Sequence, residues 1–440
     1  ARVQLGKGEL EAALGLAVKW GEQIDDTSLE VGLLQVRLRA LQGLGRSAEA
    51  EALSRVLAES GGANEDAALM ARLELAHAAL NRGEFDEAIR TYRALKDVFR
   101  DRPTQAAMEL SVAQAQAASG ALDTAYETYR QVLAVYRDLA ETTFEAEMGL
   151  ASVDRLRGRG QVARDRYLRL EGPDIGSEIW RLEQLAGAWS DLGEDAEAEA
   201  AYRGLLGSFA GHPAAEIAGR NGLAGLMRAK GELEMARGFY RQVAAAATDA
   251  SQRDWALLNS ATILEEQGRL DDAFFALRSL QRNTSDPEVR LQARLGMAAV
   301  YLEKGRAEMA LQLLEGEDAS DLGPAWVASM AQIRVAARVA SNDLDGAERE
   351  WQEVLDDYGQ LDDAASQARL GIAEVALQKG EFSRAVALAD RVLETSPDRF
   401  YQAQAILGKA RALGSAGEGE RALSLLDALL RDYSDQPEML

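Results

Sequence analysis

The stretch LELAHAALNRGEFDEAIRTYRAL, Leu73 to Leu95, is the clearest of twelve copies of one pattern in the 440 residues. Its apolar residues recur at helical spacing on both sides of Gly83, and glycine readily takes the left-handed conformation that ends many helices. Ala88 allows a second helix to approach the first closely, and Tyr92 supplies a large apolar partner one turn later. The stretch therefore predicts two antiparallel helices joined by a tight turn.

The pivot residue of this turn recurs every 35 to 38 residues along the chain. The other pivots are Gly8, Gly45, Gly120, Gly158, Gly193, Gly231, Gly268, Gly305, Asn342, Gly380 and Gly417. Asparagine fits the pattern because it tolerates positive φ better than most residues. Five residues after each pivot stands an alanine: Ala13, Ala50, Ala88, Ala125, Ala163, Ala198, Ala236, Ala273, Ala310, Ala347, Ala385 and Ala422. This regularity predicts one helical repeat over the whole chain.

Three further positions agree with the pattern. Seven residues before the pivot, ten of the twelve copies have alanine, and Leu38 and Val335 are the exceptions. Nine residues after the pivot an aromatic residue stands in six copies: Tyr92, Tyr129, Tyr167, Tyr202, Tyr240 and Trp351. The seven prolines follow their pivots by 15 to 20 residues, where one repeat should end and the next begin. None of them interrupts a predicted helix.

The pattern resembles the tetratricopeptide repeat, in which a small residue, glycine, alanine, an aromatic residue and proline follow one another at fixed spacings. Ala76, Gly83, Ala88, Tyr92 and Pro103 hold these places. The period here is longer than the usual length of about 34 residues, and the family's tryptophan position in the first helix is not kept, since Arg72 stands there in the clearest copy. The resemblance implies an all-α fold, a right-handed α-solenoid (superhelix) of about twelve helix-turn-helix repeats. Longer repeats of this kind are similar to those of bacterial envelope-associated members.

Composition limits the classes of function. The 49 basic and 72 acidic residues give a net charge of -23, which disfavours nucleic acid as a partner because a phosphate backbone requires a basic face. The absence of cysteine excludes disulfides, a thiolate nucleophile and cysteine metal sites. No apolar run is long enough to span a membrane. We expect no cofactor, no metal and no small-molecule ligand.

The sequence offers little for catalysis. The only histidines, His77 and His212, lie more than three repeats apart, and neither has metal-ligand spacing. No serine nucleophile motif and no phosphate-binding loop is present. We therefore predict that this chain is not an enzyme.

The resemblance instead implies binding, because first-helix residues of tetratricopeptide arrays line a concave groove that holds peptides. Positions thirteen and six residues before the pivots should face this groove: Met70, Trp180 and Trp255 at the former, and His77, Gln114, Thr262, Glu374 and Arg411 at the latter. Large aromatic residues are typical anchors of binding energy. Trp180 and Trp255 could equally fill the packing between repeats, and both interpretations stay open.

Two connections depart from the pattern, at residues 171–180 and 315–324, and each is a predicted bend. The first contains EGPDIG and the second EGEDASDLGP. The second is expected to shorten its helix, and it carries the acidic residues Glu315, Glu317, Asp318 and Asp321. This acidic loop is either a solvated insertion or a contact for a basic partner.

We predict a single solenoid over residues 1–440, as a fragment of a longer chain, because the first copy starts in mid-helix at Ala1. Its predicted function is that of a non-catalytic scaffold for protein or peptide partners in a bacterial envelope assembly, in the periplasm. One alternative is an accessory arm of a larger exporter or enzyme, for example in polysaccharide secretion. Another is a cytoplasmic peptide-sensing regulator.

Overall fold

The computed structural model describes residues 10–21, 27–43, 46–59, 65–247 and 249–433, which contain 23 α-helices, one short 3-10 helix and no β-strand. The chain divides into two compact units, one of residues 1–268 with 283–287 and the other of residues 269–282 with 288–440.

The first unit contains fourteen of the described helices. They are α1 (Leu10–Gly21), α2 (Thr27–Gly43), α3 (Ser47–Glu59), α4 (Glu65–Asn81), α5 (Phe85–Val98), α6 (Arg102–Ala118), α7 (Leu122–Val135), α8 (Ala140–Leu156), α9 (Gly160–Arg169), α10 (Ile175–Asp191), α11 (Asp195–Ser208), α12 (Pro213–Ala229), α13 (Leu233–Ala246) and α14 (Ala250–Glu266).

The second unit contains the remaining nine of the described helices and the 3-10 helix at Ser320–Leu322. The nine are α15 (Leu270–Asn283), α16 (Pro287–Glu303), α17 (Ala307–Leu314), α18 (Pro324–Ala340), α19 (Leu344–Tyr358), α20 (Asp362–Gln378), α21 (Phe382–Thr395), α22 (Arg399–Ser415) and α23 (Gly419–Asp432).

The predicted pivots are confirmed wherever the structure describes them. All ten from Gly83 to Gly417 have positive φ, including Asn342 at 59°, while Gly8 and Gly45 lie outside the described residues. At the first of the ten, the Gly83 amide donates to Leu80 O and the Glu84 amide to Ala79 O, at 3.1 and 2.9 Å. This pair of bonds satisfies carbonyls that the helix end leaves free. The turn between paired helices is thus encoded locally.

The predicted close contact between paired helices is also confirmed. All twelve alanines that follow the pivots by five residues are buried. Within each unit, helices consecutive in sequence pack against one another, as α12 does with α13 and α20 with α21. Each unit is therefore an α-solenoid, in which apolar faces are buried between neighbouring repeats.

Three of the six aromatic residues after the pivot, Tyr129, Tyr202 and Trp351, pack into notches left by glycines of the next repeat. A Cβ added at Gly149 would lie 2.3 Å from the Tyr129 ring, and one added at Gly222 would lie 2.0 Å from the Tyr202 ring. Each glycine lies nine residues before its own pivot. These residues therefore serve packing between adjacent repeats, since a larger side chain would need the space that the ring fills.

The irregular connection at 171–180 is closed by a buried arginine. The second helix of this repeat, α9, has only 10 residues, where most second helices have 14. Arg181, which is 8% exposed, donates from Nη1 to Tyr167 O at 2.8 Å, a carbonyl at the end of α9. Its Nε donates to Glu178 at 2.9 Å, and Glu178 also accepts from the Gly172 amide. The arginine thus joins a shortened helix to the start of the next repeat.

An arginine also binds the backbone of the connection at 315–324. As predicted, its helix is cut short: α17 ends at Leu314 after 8 residues. Arg334 of the following helix donates from Nη2 to Leu314 O at 2.7 Å and to Glu317 O at 3.0 Å. A guanidinium again satisfies carbonyls that the shortened helix leaves without partners.

Ion pairs between repeats distinguish alternate copies. In every second described copy a basic residue directly before the pivot pairs with an acidic residue on the second helix of the preceding repeat. The pairs are Arg82 with Glu51, Arg157 with Asp123, Lys230 with Glu199, Lys304 with Asp271, and Lys379 with both Asp345 and Glu348. The copies between them have the uncharged residues Ser119, Leu192, Gln267, Ser341 and Ala416. This ion pair therefore recurs with every second repeat and not with every repeat.

We expect Glu348→Gln to reduce the dependence of the protein's stability on acid pH. Hydrogen bonds from Arg384 and Lys379 lower the pKa of Glu348 to about 2, below the value of about 4.3 for an unfolded chain. The contribution of the ionised carboxylate is therefore complete above about pH 5 and is lost as the pH falls toward 2. Thermal unfolding should be measured at pH 7, 5 and 3. The difference in melting temperature between wild type and variant should be smaller at pH 3 than at pH 7. A difference of constant size, or the same change for Glu353→Gln on the exposed face of α19, would contradict this.

Candidate functional site

The first helices of successive repeats form a layer in each unit. In the first unit α6 contacts α8 and α10 contacts α12, and in the second unit α18, α20 and α22 contact one another in turn. Positions thirteen and six residues before a pivot are seven apart, so they share one face of a helix. We call this face of the first helices the first-helix layer.

None of the eight predicted groove residues is buried in the core. Met70, His77, Gln114, Trp180 and Arg411 are exposed, and Trp255, Thr262 and Glu374 are half-buried. Two of them meet across adjacent repeats: the Arg411 guanidinium donates to both carboxylate oxygens of Glu374 at 2.9 and 3.0 Å. The Thr262 hydroxyl donates to Leu258 O at 3.2 Å within its own helix.

Trp180 combines packing with a free surface. Its ring meets the buried Phe144 edge-on, with centroids 5.9 Å apart, yet the residue is 39% exposed. Glu183 lies one turn further along α10, and burial raises the pKa of its carboxyl. Trp180 is thus oriented by the neighbouring repeat and still exposes apolar surface.

Trp255 lines a cavity of about 320 Å³ in the first unit. Three helices build the cavity: two first helices, α12 and α14, and the second helix α13 between them. Its lining residues are Ile217, Asn221, Tyr240, Ser251, Gln252, Trp255, Ala256 and Asn259. Cavities of this size that are mostly apolar, with a few polar groups, are typical of binding sites.

The polar groups of this cavity are amides and hydroxyls. The Asn259 Nδ2 donates to Trp255 O at 2.9 Å, which fixes the amide beside the indole. Burial raises the pKa of Tyr240, whose phenol therefore stays neutral. The charged groups that act on Tyr240 are Arg228 and Glu266, which are hydrogen-bonded to each other at 2.8 Å. The cavity is thus an uncharged surface in a strongly acidic protein.

The acidic loop is held by the protein's own side chains. Glu317 forms an ion pair with Arg294, and the Asp318 carboxylate accepts from the Ser320 amide at 2.9 Å. Glu315 and Asp321 are exposed. A partner contact at this loop stays a prediction.

The histidines and acidic residues of the described part of the chain do not form a metal site, since no group of three or more of them could hold a metal ion. His77 lies on α4 with its ring centroid 5.7 Å from that of Tyr92, and His212 directly precedes α12. No helix among these residues has both the length and the apolar character that a membrane span requires.

Sequence reasoning identified Trp255 but missed most of its cavity. Asn259 lies nine residues before its pivot and Asn221 ten residues before its own, outside the two positions that we assigned to the groove. Tyr240 follows its pivot by nine residues and lies on a second helix, which we did not assign to the groove. A search for uncharged polar residues one turn from each first-helix tryptophan would have found Asn259.

Comparison with known proteins identifies the family. A tetratricopeptide repeat-like domain matches residues 190–367, and tetratricopeptide-repeat models match residues 376–440 and 71–105. No curated protein matches the sequence significantly.

Among solved structures, yeast Tom70 is similar over 99% of this chain and 90% of its own, with 13% identity and a TM-score of 0.50, which is a likeness of fold. The apo form of the quorum sensor NprR from B. thuringiensis matches 82% of this chain and 98% of its own, at 14% identity and a TM-score of 0.42. A tetratricopeptide repeat protein from Parabacteroides merdae matches 61% and 99%, at 18% identity and a TM-score of 0.39. With its pivots, buried alanines and all-helical described residues, this chain belongs to the tetratricopeptide-repeat family.

Proposed function

We propose that this chain is a non-catalytic scaffold that binds partner proteins or peptides on its first-helix layer. The observation that carries the proposal is the cavity beside Trp255, which has two first helices among its walls and combines an indole, a phenol and three side-chain amides. Such a combination suits a peptide, because aromatic rings provide contact area while amides satisfy polar backbone groups. Family membership supports the same conclusion.

Preorganisation also favours binding here. Trp180 is held by Phe144, and the Asn259 amide is held by a backbone carbonyl. Side chains that are already ordered lose less entropy when a partner binds. The first-helix layer therefore offers two aromatic residues two repeats apart, Trp180 held by Phe144 and Trp255 beside an ordered amide, to one extended or helical segment.

The proposed setting is a bacterial envelope assembly, with the periplasm as compartment. Support comes from the repeat period of 35 to 38 residues, which is similar to that of envelope-associated members of the family. Fractionation of the source cells followed by immunodetection tests the setting, and recovery of the protein in the cytoplasmic fraction alone would refute it.

The double variant Trp180→Ala with Trp255→Ala is expected to lose the partner. Affinity capture from fractionated lysate, with this chain as bait at low and high salt, should recover a stoichiometric partner with wild type and not with the double variant. Truncation of an aromatic anchor costs about 2 kcal/mol or more of binding energy, so two truncations should abolish capture.

The control is Trp20→Ala, since Trp20 is 49% exposed, against 39% for Trp180, but lies on the second helix α1. This variant should retain the partner. Circular dichroism should show the helicity of all three proteins to be the same. Unchanged capture by the double variant would place binding elsewhere on the protein.

A further inference from the structure

We infer that the cavity beside Trp255 accepts one aromatic side chain of the bound segment and rejects charged ones. This inference rests on the proposed function and assigns a specificity to one part of the first-helix layer.

The size of the cavity limits its occupant. At about 320 Å³ it lies at the lower end of the range of ligand-binding cavities, about 300 to 1,000 Å³. This is room for one large side chain with its adjoining backbone, and too little for a folded element. The occupant is therefore a single residue that projects from the segment.

The walls favour a ring. Trp255 and Tyr240 belong to different helices and both face the cavity, which Ile217 and Ala256 complete on its apolar side. Aromatic pairs in offset or edge-on geometry gain about 0.5 to 1.5 kcal/mol beyond the area that they bury. An aromatic occupant can make this contact with either ring, whereas an aliphatic one gains only from burial.

The uncharged lining disfavours charged side chains. None of the eight residues that line the cavity is charged. Arg228 and Glu266 are already hydrogen-bonded to each other, and the Ser251 hydroxyl donates to Asp286 at 3.1 Å. An arginine, lysine or glutamate entering the cavity would lose part of its hydration and find no counter-ion among the eight lining residues, which is costly.

The amides explain how the flanking backbone is accommodated. Asn221, Gln252 and Asn259 border the cavity on two adjacent first helices. A side-chain amide both donates and accepts hydrogen bonds, so it can pair with the peptide groups on either side of the inserted ring. Their combination with two aromatic walls is what points to a peptide residue and not to a free apolar compound.

The test uses phage-displayed random 12-residue peptides as probe, selected on the full chain. Enriched peptides should share one aromatic position. Replacement of that residue by glutamate or lysine in the synthetic peptide should weaken binding at least tenfold, as measured by fluorescence anisotropy. Asn221→Trp, which places a large side chain at the mouth of the cavity from an exposed position, should weaken binding by a similar factor.

The control is Met235→Trp, which adds the same side chain on the exposed face of α13, the helix that carries Tyr240. It should bind as wild type does, and all proteins should have wild-type helicity and unfolding midpoints. If peptides bind and are lost with the Trp180 and Trp255 double variant, but share no aromatic position or ignore Asn221→Trp, this inference is wrong while the proposed function stands. If no peptide is enriched, the proposed function fails and this inference falls with it.

Discussion

Arg181→Met is expected to lower the free energy of unfolding of the first unit by about 2 kcal/mol, because it removes a buried guanidinium that bonds a helix-end carbonyl and a partly exposed carboxylate. Methionine keeps the apolar stem of the side chain but removes the donors to Tyr167 O and Glu178. The Tyr167 carbonyl would then lack its partner at the end of α9. Glu178 would keep only the Gly172 amide as donor.

Hydrogen exchange gives the sharpest measurement, because a repeat protein can open locally before it unfolds globally. Amides of residues 160–180 should exchange faster in the variant, and the urea midpoint should fall. Arg203→Met is the control: the Arg203 side chain is 62% exposed and pairs with Glu199 on the surface, so its loss should change stability by about 0.5 kcal/mol or less. Equal effects of the two substitutions would contradict the structural role of Arg181.

Gly371→Ala is expected to destabilise the second unit by about 1 kcal/mol, although alanine is the better helix former. An added Cβ would lie 2.2 Å from the Nε1 of Trp351, an indole that is only 4% exposed. Overpacking of this kind costs about 1 to 3 kcal/mol. Because the indole is too large to move without displacing its neighbours, the cost should exceed the gain of about 1 kcal/mol in helix propensity.

Gly408→Ala supplies the matched control, since Gly408 occupies the same position in the next repeat. A Cβ there would meet no heavy atom within 4 Å, and the residue nine places after the preceding pivot is Ala389 instead of an aromatic. This variant should be neutral or more stable by up to about 1 kcal/mol. The chemical denaturation midpoints of the two variants should therefore shift from wild type by different amounts and in different directions. Shifts of the same sign would show that Gly371 does not make room for the Trp351 ring.

The fold could be predicted because its main determinants act within one repeat. Positive φ at Gly83 and at Asn342, and the buried alanines five residues later, follow from residue type and helical spacing alone. The shortened helix α17 was also predictable, from the run EGEDASDLGP. Nothing in that run indicated that Arg334, in the next repeat, would bind its free carbonyls.

The candidate site was predictable only in part. Helical phase placed Trp180 and Trp255 on the first helices, and the structure shows both with accessible surface. The cavity beside Trp255 depends on Tyr240 and Asn221 of the preceding repeat. Contacts between residues that are 15 to 34 positions apart leave no periodic signal in a single helix.

The sequence by itself determined the helices, the turns between them, the close pairing of helices within each repeat and the family. These features depend on backbone conformation and on side chains a few residues apart, so each repeat carries their full description. Only the tertiary structure decided which glycine holds a ring, as Gly371 does and Gly408 does not, and which arginine closes a shortened helix. It also decided where two first helices border a cavity. These outcomes depend on how two different repeats fill the space between them, and that packing is set by side-chain volumes from both partners at once.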